Sequence, residues 1–204
     1  MDEIVRQAMA KWPSVPHCFG WLMLDARGNW RMRDERAQHL NLPGDKINHP
    51  ALLGFINRNY THDADGRWYF QNGPQRVYVD LEITPYIVRT DPAAGFVLHT
   101  GETLPGPSQA WLTQEGRLLL ATGEIVAALD DRDAAGVLAT FTLEGAAASD
   151  EQIMAWLEGK HRGALSLLHA GQVLPLQWTA AKNLAEQFGF VAQPRAATET
   201  QTAD

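Results

Sequence analysis

RWYFQNGPQRVYVD, residues 67–80, decides how this chain is read: two aromatic and β-branched runs flank Asn72-Gly73-Pro74, so the local sequence specifies a β-hairpin. The outgoing strand continues with Val77, Val79 and Leu81 alternating with Tyr78, Asp80 and Glu82, the period of a half-buried strand. A short strand over 86–89 follows. Upstream, Asn48 is the expected N-cap of a helix that carries Pro50 in its first turn, buries Leu52, Leu53, Phe55 and Ile56, and ends near Asn59. Earlier still, CFGWLMLDARGNWRMR (18–33) reads as strand, turn and strand, with Asp25 to Gly28 as the turn, and LNLPGDK (40–46) as a loop. Ile4, Val5, Ala8 and Met9 form the apolar side of an N-terminal helix stopped by Pro13.

In GETLPGPSQ, residues 101–109, prolines and glycines interrupt every hydrophobic period, which marks the expected boundary between two units. Beyond it, AWLTQEGRLLL echoes GWLMLDARGNWRM, a helix capped by Ser149 matches the one after Asn48, and ALSLLHAGQVLPLQW matches the central hairpin. The order hairpin, helix, hairpin therefore recurs at an offset of roughly 90 to 100 residues, as expected of an internal duplication. An additional segment, IVAALDDRDAAGVLATF, reads as a strand and then a helix from Asp131 to about Thr140, with 137–143 serving equally as a strand. A last helix over 179–188 and a closing strand over 190–192 complete the pattern. The expected organisation is an N-terminal helix and lead-in (1–19), a first α+β subdomain (20–103), a second (109–193) and a disordered tail (194–204). Each subdomain is an antiparallel sheet with helices on one face.

The 24 acidic and 17 basic residues give a net charge of −7 with the basic residues dispersed, which excludes nucleic acid as the expected partner. Cys18 is the only cysteine, so no intrachain disulfide forms and cytoplasmic residence is expected. Two acids directly after Met1 and the lack of an apolar block give no signal peptide, and no run approaches the ~20 apolar residues of a membrane span.

Four places in the chain invite chemistry. Cys18 beside His17 suggests a thiol nucleophile, but neighbours on a strand point to opposite faces, which favours a buried structural cysteine. HDADG (62–66) looks like part of a calcium loop, but Arg67, Trp68 and Tyr69 stand where further oxygen ligands belong, leaving an Asp-Gly turn as the preferred reading. Asp130, Asp131 and Asp133 could serve acid-base or metal chemistry; as acids opening a helix they need no further role. The seven histidines show no zinc spacing. No metal and no cofactor is expected. On the central hairpin, Asn72, Gln75, Arg76 and Tyr78 lie at or beyond the turn, where a rigid strand pair can present them to a ligand or partner. The plain alternative is cross-strand stacking on a solvated face.

Taken together, MDEIVRQAMAKWP, GWLMLDARGNWRMRDE, ALLGFINRNY and WYFQNGPQRVYVDLE resemble an uncharacterised, mainly betaproteobacterial family known only as a domain of unknown function, over nearly the whole chain. More remotely, GNWRM, ALLGF, GRWYF and YIVRTDP resemble another proteobacterial family of unknown function, for which two similar α+β subdomains and a signalling role are proposed. Neither resemblance supplies a catalytic residue. The leading expectation is a non-enzymatic cytoplasmic module that binds a small ligand or a protein in a regulatory role, through the Asn72 to Tyr78 hairpin or a cleft between subdomains. The alternatives are a hydrolase or thiol enzyme using Cys18 or the Asp130, Asp131 and Asp133 cluster, and a homodimer built on the N-terminal helix.

Overall fold

A computed structural model describes residues 1–196. They form two compact units, each an α+β arrangement around one sheet. The first comprises Met1–Leu24, Trp30–Glu82 and the segment from Phe190; the second comprises Ile83–Gly189 with the short turn Asp25–Asn29. The chain thus divides between Glu82 and Ile83, and the 104–108 loop lies inside the second unit. Of the expected tail, 194–196 belong to the first unit and 197–204 lie outside the described residues.

In the first unit, α1 (Glu3–Lys11) precedes β1 (Cys18–Leu24), β2 (Trp30–Met32), α2 (Glu35–His39), β3 (Asp45–Lys46), α3 (Pro50–Arg58), β4 (Tyr60–His62), β5 (Trp68–Asn72) and β6 (Gln75–Leu81). The sheet runs β3-β2-β1-β6-β5-β4, antiparallel except for the central parallel pair β1 and β6. The hairpin turn is Gly73-Pro74. Gly73 at φ 57° takes the left-handed first position, and proline supplies the negative φ required at the second.

His49, one residue after the expected Asn48, caps α3: its Nδ1 accepts the Leu52 N–H at 3.3 Å, which leaves Pro50 at the first helical position, where no N–H is needed. Strand alternation sorts the side chains. Leu22, Leu24, Phe70, Val79 and Leu81 share the buried face, where Phe55 of α3 meets Phe70 edge-on at 5.4 Å. Tyr69, Gln71, Arg76, Tyr78 and Asp80 share the opposite face, where all but Arg76 are buried as well, so the strand is covered on both sides here rather than half-buried as its alternation led one to expect.

The second unit contains β7 (Tyr86–Asp91), β8 (Gly95–Leu98), β9 (Gln109–Thr113), β10 (Leu118–Thr122), β11 (Ile125–Leu129), α4 (Ala134–Leu138), β12 (Phe141–Leu143), β13 (Ala146–Ala147), α5 (Asp150–Leu157), β14 (Leu165–His169), β15 (Gln172–Thr179) and α6 (Leu184–Phe188). Its sheet order is β13-β12-β14-β15-β9-β10-β11-β7-β8. Pairing of β7 with β11 in parallel draws the β7–β8 hairpin into this sheet. The core includes Val88, Leu112, Leu120, Phe141 and Leu167, all almost fully buried. Ser149 and Gln152 form a reciprocal capping box on α5. The segment after Asp130 resolves into both of its readings: a 3-10 turn with α4, then β12.

The path β11-β10-β9-β15-β14-β12 repeats β3-β2-β1-β6-β5-β4 in connection and in strand direction, including the single central parallel pair. On this path α4 takes the place of α3, and β13 with α5 stands between the counterparts of β4 and β5.

One hairpin turn also occurs three times. The N–H of Asp25, Asp63 and Thr113 donates to the carbonyl of Asn29, Arg67 and Arg117, and the side chain of the same first residue accepts the N–H of that last residue. The fourth position is Gly28, Gly66 or Gly116, at φ 74° to 80°, a conformation glycine adopts without a Cβ penalty.

Candidate functional site

On the hairpin, Asn72 and Gln75 face each other across the strands, and the Gln75 Nε2 donates to the Pro16 carbonyl at 2.9 Å. The Arg76 guanidinium lies over the Tyr69 ring, 4.6 Å from its centroid. Tyr78 is buried at 1% exposure, stacked on Phe19 with centroids 4.6 Å apart, and its hydroxyl donates to Asp63 Oδ2 at 3.0 Å. Arg76 and Tyr78 therefore meet through Tyr69 in an aromatic cluster that Phe19 joins by stacking on Tyr78, whereas Asn72 is exposed at its tip. Tyr78 also acts as a structural member of that cluster.

The expected Asp-Gly turn at HDADG is built by Asp63. Its Oδ1 accepts the N–H groups of Asp65 and Arg67 at 3.1 and 3.0 Å, and its Oδ2 takes the Arg67 Nε at 2.9 Å. Burial works against ionisation there, yet the Arg67 amide, the Tyr78 hydroxyl and the Arg67 guanidinium together hold the carboxyl below its ordinary range. Burial, reinforced by Arg76 and Arg67, lowers the His17 pKa. His17 sets its ring edge-on to Tyr78, while Cys18 is opposite Val77 in the strand register.

The three aspartates after Leu129 are each engaged locally. Asp130 is buried and binds the Arg132 amide and guanidinium, Asp131 forms a two-point pair with Arg27 at 2.9 Å, and Asp133 accepts the Thr90 N–H at 2.7 Å. No group of three His, Cys, Asp or Glu side chains suited to a metal ion occurs among the described residues.

Next to the aromatic cluster, on the same face of the sheet, lies a polar pocket of about 240 Å³ bounded by Phe19, Gly20, Arg33, Asn41, Asp80 and Arg195. Its floor is an ion pair: Arg33 Nη1 meets Asp80 Oδ2 at 2.5 Å, and both side chains are 4% exposed. The Arg33 fork is completed by the Leu42 carbonyl at 3.0 Å and Asn41 Oδ1 at 3.2 Å. Arg195 reaches Asp80 Oδ1 at 2.7 Å from a half-exposed position. Two guanidinium groups thus converge on one carboxylate, and the lining carries a net positive charge.

Hairpin patterning led to Arg76 and Tyr78 but neither to Phe19 nor to this pocket, because Phe19, Arg33, Asp80 and Arg195 are far apart in the chain. The one sequence signal was Asp80 in a run otherwise dominated by Val and Leu. A charge at that position needs a buried partner or solvent.

Fold and site define an α+β protein of two mixed, largely antiparallel sheets with a charged pocket on the polar face of the first. The chain belongs to the family DUF2944, described as "Protein of unknown function (DUF2946)", whose model matches residues 1–195. No curated protein matches it. Among solved structures, a DUF1285 family protein from Silicibacter pomeroyi DSS-3 is similar at 14% identity and a TM-score of 0.49, over 87% of this chain and 96% of that one. No helix among the described residues is long and apolar enough to cross a membrane.

Proposed function

We propose that this is a non-enzymatic, cytoplasmic binding module with a regulatory role, which arose by duplication of one α+β unit and takes a small anion on the polar face of its first sheet. The observation that carries the reading is the buried Arg33–Asp80 pair at the base of an open pocket. Burying two charges rarely favours the fold over an apolar filling of the same volume, so the pair is better explained by what it presents. Arg195 donates to both oxygens of Asp80 and also to the Pro194 carbonyl and Gln193 Oε1, and a carboxylate or phosphate ligand takes the place of those two local partners at this half-exposed guanidinium. Phe19 links this pocket to Tyr78, and the exposed ends of Asn72, Gln75 and Arg76 extend the surface along the hairpin. Engagement of the three aspartates in local hydrogen bonds and ion pairs speaks against an enzyme built on them.

Thermal-shift titration with phosphate, acetate and succinate tests the site. At least one is expected to raise the melting temperature saturably in the native chain, with the shift reduced at least about tenfold in apparent affinity by Arg195→Ala, the loss of a charge-assisted contact. If all three leave the melting temperature flat, or if Arg195→Ala responds like the native protein, the anion site is refuted.

A second reading, the homodimer, draws support from α1, where Val5 is buried but Ile4 is 73% and Trp12 51% exposed. Sedimentation velocity of the native chain is expected to show a concentration-dependent shift towards twice the monomer mass. A single monomer peak across a hundredfold range of concentration, on the order of micromolar and upward, removes it.

A further inference from the structure

The second unit contains a different kind of pocket. A half-enclosed space of about 190 Å³ opens between the Thr113–Arg117 turn and α4, with apolar walls from Leu118, Leu129, Ala134, Val137, Leu138 and Phe141. Leu118, Leu129, Val137 and Phe141 are core residues, so the pocket reaches into packed apolar structure rather than lying on the surface. Apolar cavities of about 150 Å³ stay dry and admit a benzene-sized guest, because water finds no polar partners there while a hydrocarbon regains the missing dispersion contacts.

The rim adds a chemical preference. Asp131 is already neutralised by its two-point pair with Arg27. Arg117 is half-buried at the mouth, and its guanidinium donates to the Leu129 carbonyl at a long 3.4 Å, which anchors one of its five N–H donors at the lining of the opening. Glu115, the remaining charge on the rim, is exposed to solvent. A body of six to eight carbon atoms, by the order of magnitude of such cavities, fits the walls, and a planar anionic head fits the fork of Arg117.

We infer that this pocket binds a small monocarboxylic acid with an aromatic or branched apolar body. The site is independent of the anion pocket of the first unit. Its walls lie on β10, β11, α4 and β12, so a ligand there braces the short α4 against the sheet.

Calorimetric titration of the full chain with benzoate, 3-methylbutanoate and neutral benzamide decides the matter. Benzoate is expected to bind saturably at one per chain and at least tenfold more tightly than benzamide. Arg117→Met is expected to abolish that tenfold preference while leaving weak benzamide binding in place. Ala134→Leu, which fills the space, is expected to eliminate binding of both without lowering the melting temperature, and Arg195→Ala to change neither. The proposal is overturned by any of four results: no saturable binding of either acid, equal affinity for benzoate and benzamide in the native chain, an undiminished preference for benzoate in Arg117→Met, or benzoate binding that survives in a folded Ala134→Leu protein. Because Arg117 is not part of the packed core, the Arg117→Met comparison stands even if the filled variant does not fold.

Discussion

Asp80→Ala is expected to cost about 3–5 kcal/mol of folding stability, the typical penalty for leaving a buried charge without its counterion. Arg33 stays behind at 4% exposure, with the Asn41 side chain and the Leu42 carbonyl able to satisfy its hydrogen bonds but not its charge. Arg195→Ala removes a half-exposed partner of the same carboxylate, and its expected cost is below about 1 kcal/mol. Urea denaturation separates the two: a large fall in midpoint for Asp80→Ala, a small one for Arg195→Ala. The double replacement Arg33→Met with Asp80→Leu is expected to recover most of the loss, since an apolar pair avoids the desolvation that the ion pair incurs. A cost below about 1 kcal/mol for Asp80→Ala would mean that Arg33 finds water in the pocket, and the view of a buried, ligand-presenting pair would fall.

The second large effect depends on pH. His99 is half-buried beside Tyr86, and desolvation lowers its pKa from the ordinary 6.5 to about 3. The Ile87 amide donates to its Nδ1 at 3.2 Å, the atom that a second proton would have to occupy. A histidine whose folded pKa is depressed is neutral in the native chain while the unfolded chain takes up a proton as the pH falls below 6.5. Stability is therefore complete above pH 6.5 and drops by about 1.4 kcal/mol per unit between 6.5 and 3, reaching a loss of about 4 kcal/mol near pH 3.5 from this residue. Denaturation curves at pH 7, 5.5 and 4.5 for the native protein and His99→Gln test this, and the variant is expected to show a distinctly flatter profile. Parallel profiles would show that other groups carry the acid sensitivity.

How much of this was legible in the sequence follows from the range of each interaction. The 68–81 hairpin reads directly because its turn chemistry is contained in adjacent residues, and the α5 cap reads because Ser149 and its contact Gln152 are three positions apart. The α3 cap moved by one residue because a histidine ring can accept an amide hydrogen bond as an asparagine does. The five-residue helix α2 escaped notice, since it buries only Ala37 and so produces no periodicity; the Asp34 side chain, which accepts the Ala37 N–H at 2.7 Å, was its one signal. Breakers in 101–109 mark a loop, whereas the division of the chain depends on β7 finding β11 in parallel, a pairing that no local pattern announces. The pocket follows the same rule. Tyr78 and Arg76 are visible as an aromatic and a cation on one strand face, but the convergence of Arg33 and Arg195 on Asp80 exists only once the sheet is assembled.

The segment from Phe190 also bears on the order of biosynthesis. Its Val191 amide donates to the Gly66 carbonyl, its Ala192 carbonyl accepts from Leu81, and Arg195 follows onto Asp80, so three attachments of the first sheet are supplied by residues translated after the whole second unit. A ribosome emits domains from the N-terminus and neighbouring residues fold as they emerge. Here all six strands of the earlier-made unit are complete by Leu81, yet its charged floor stays uncapped until the closing stretch has cleared the exit tunnel.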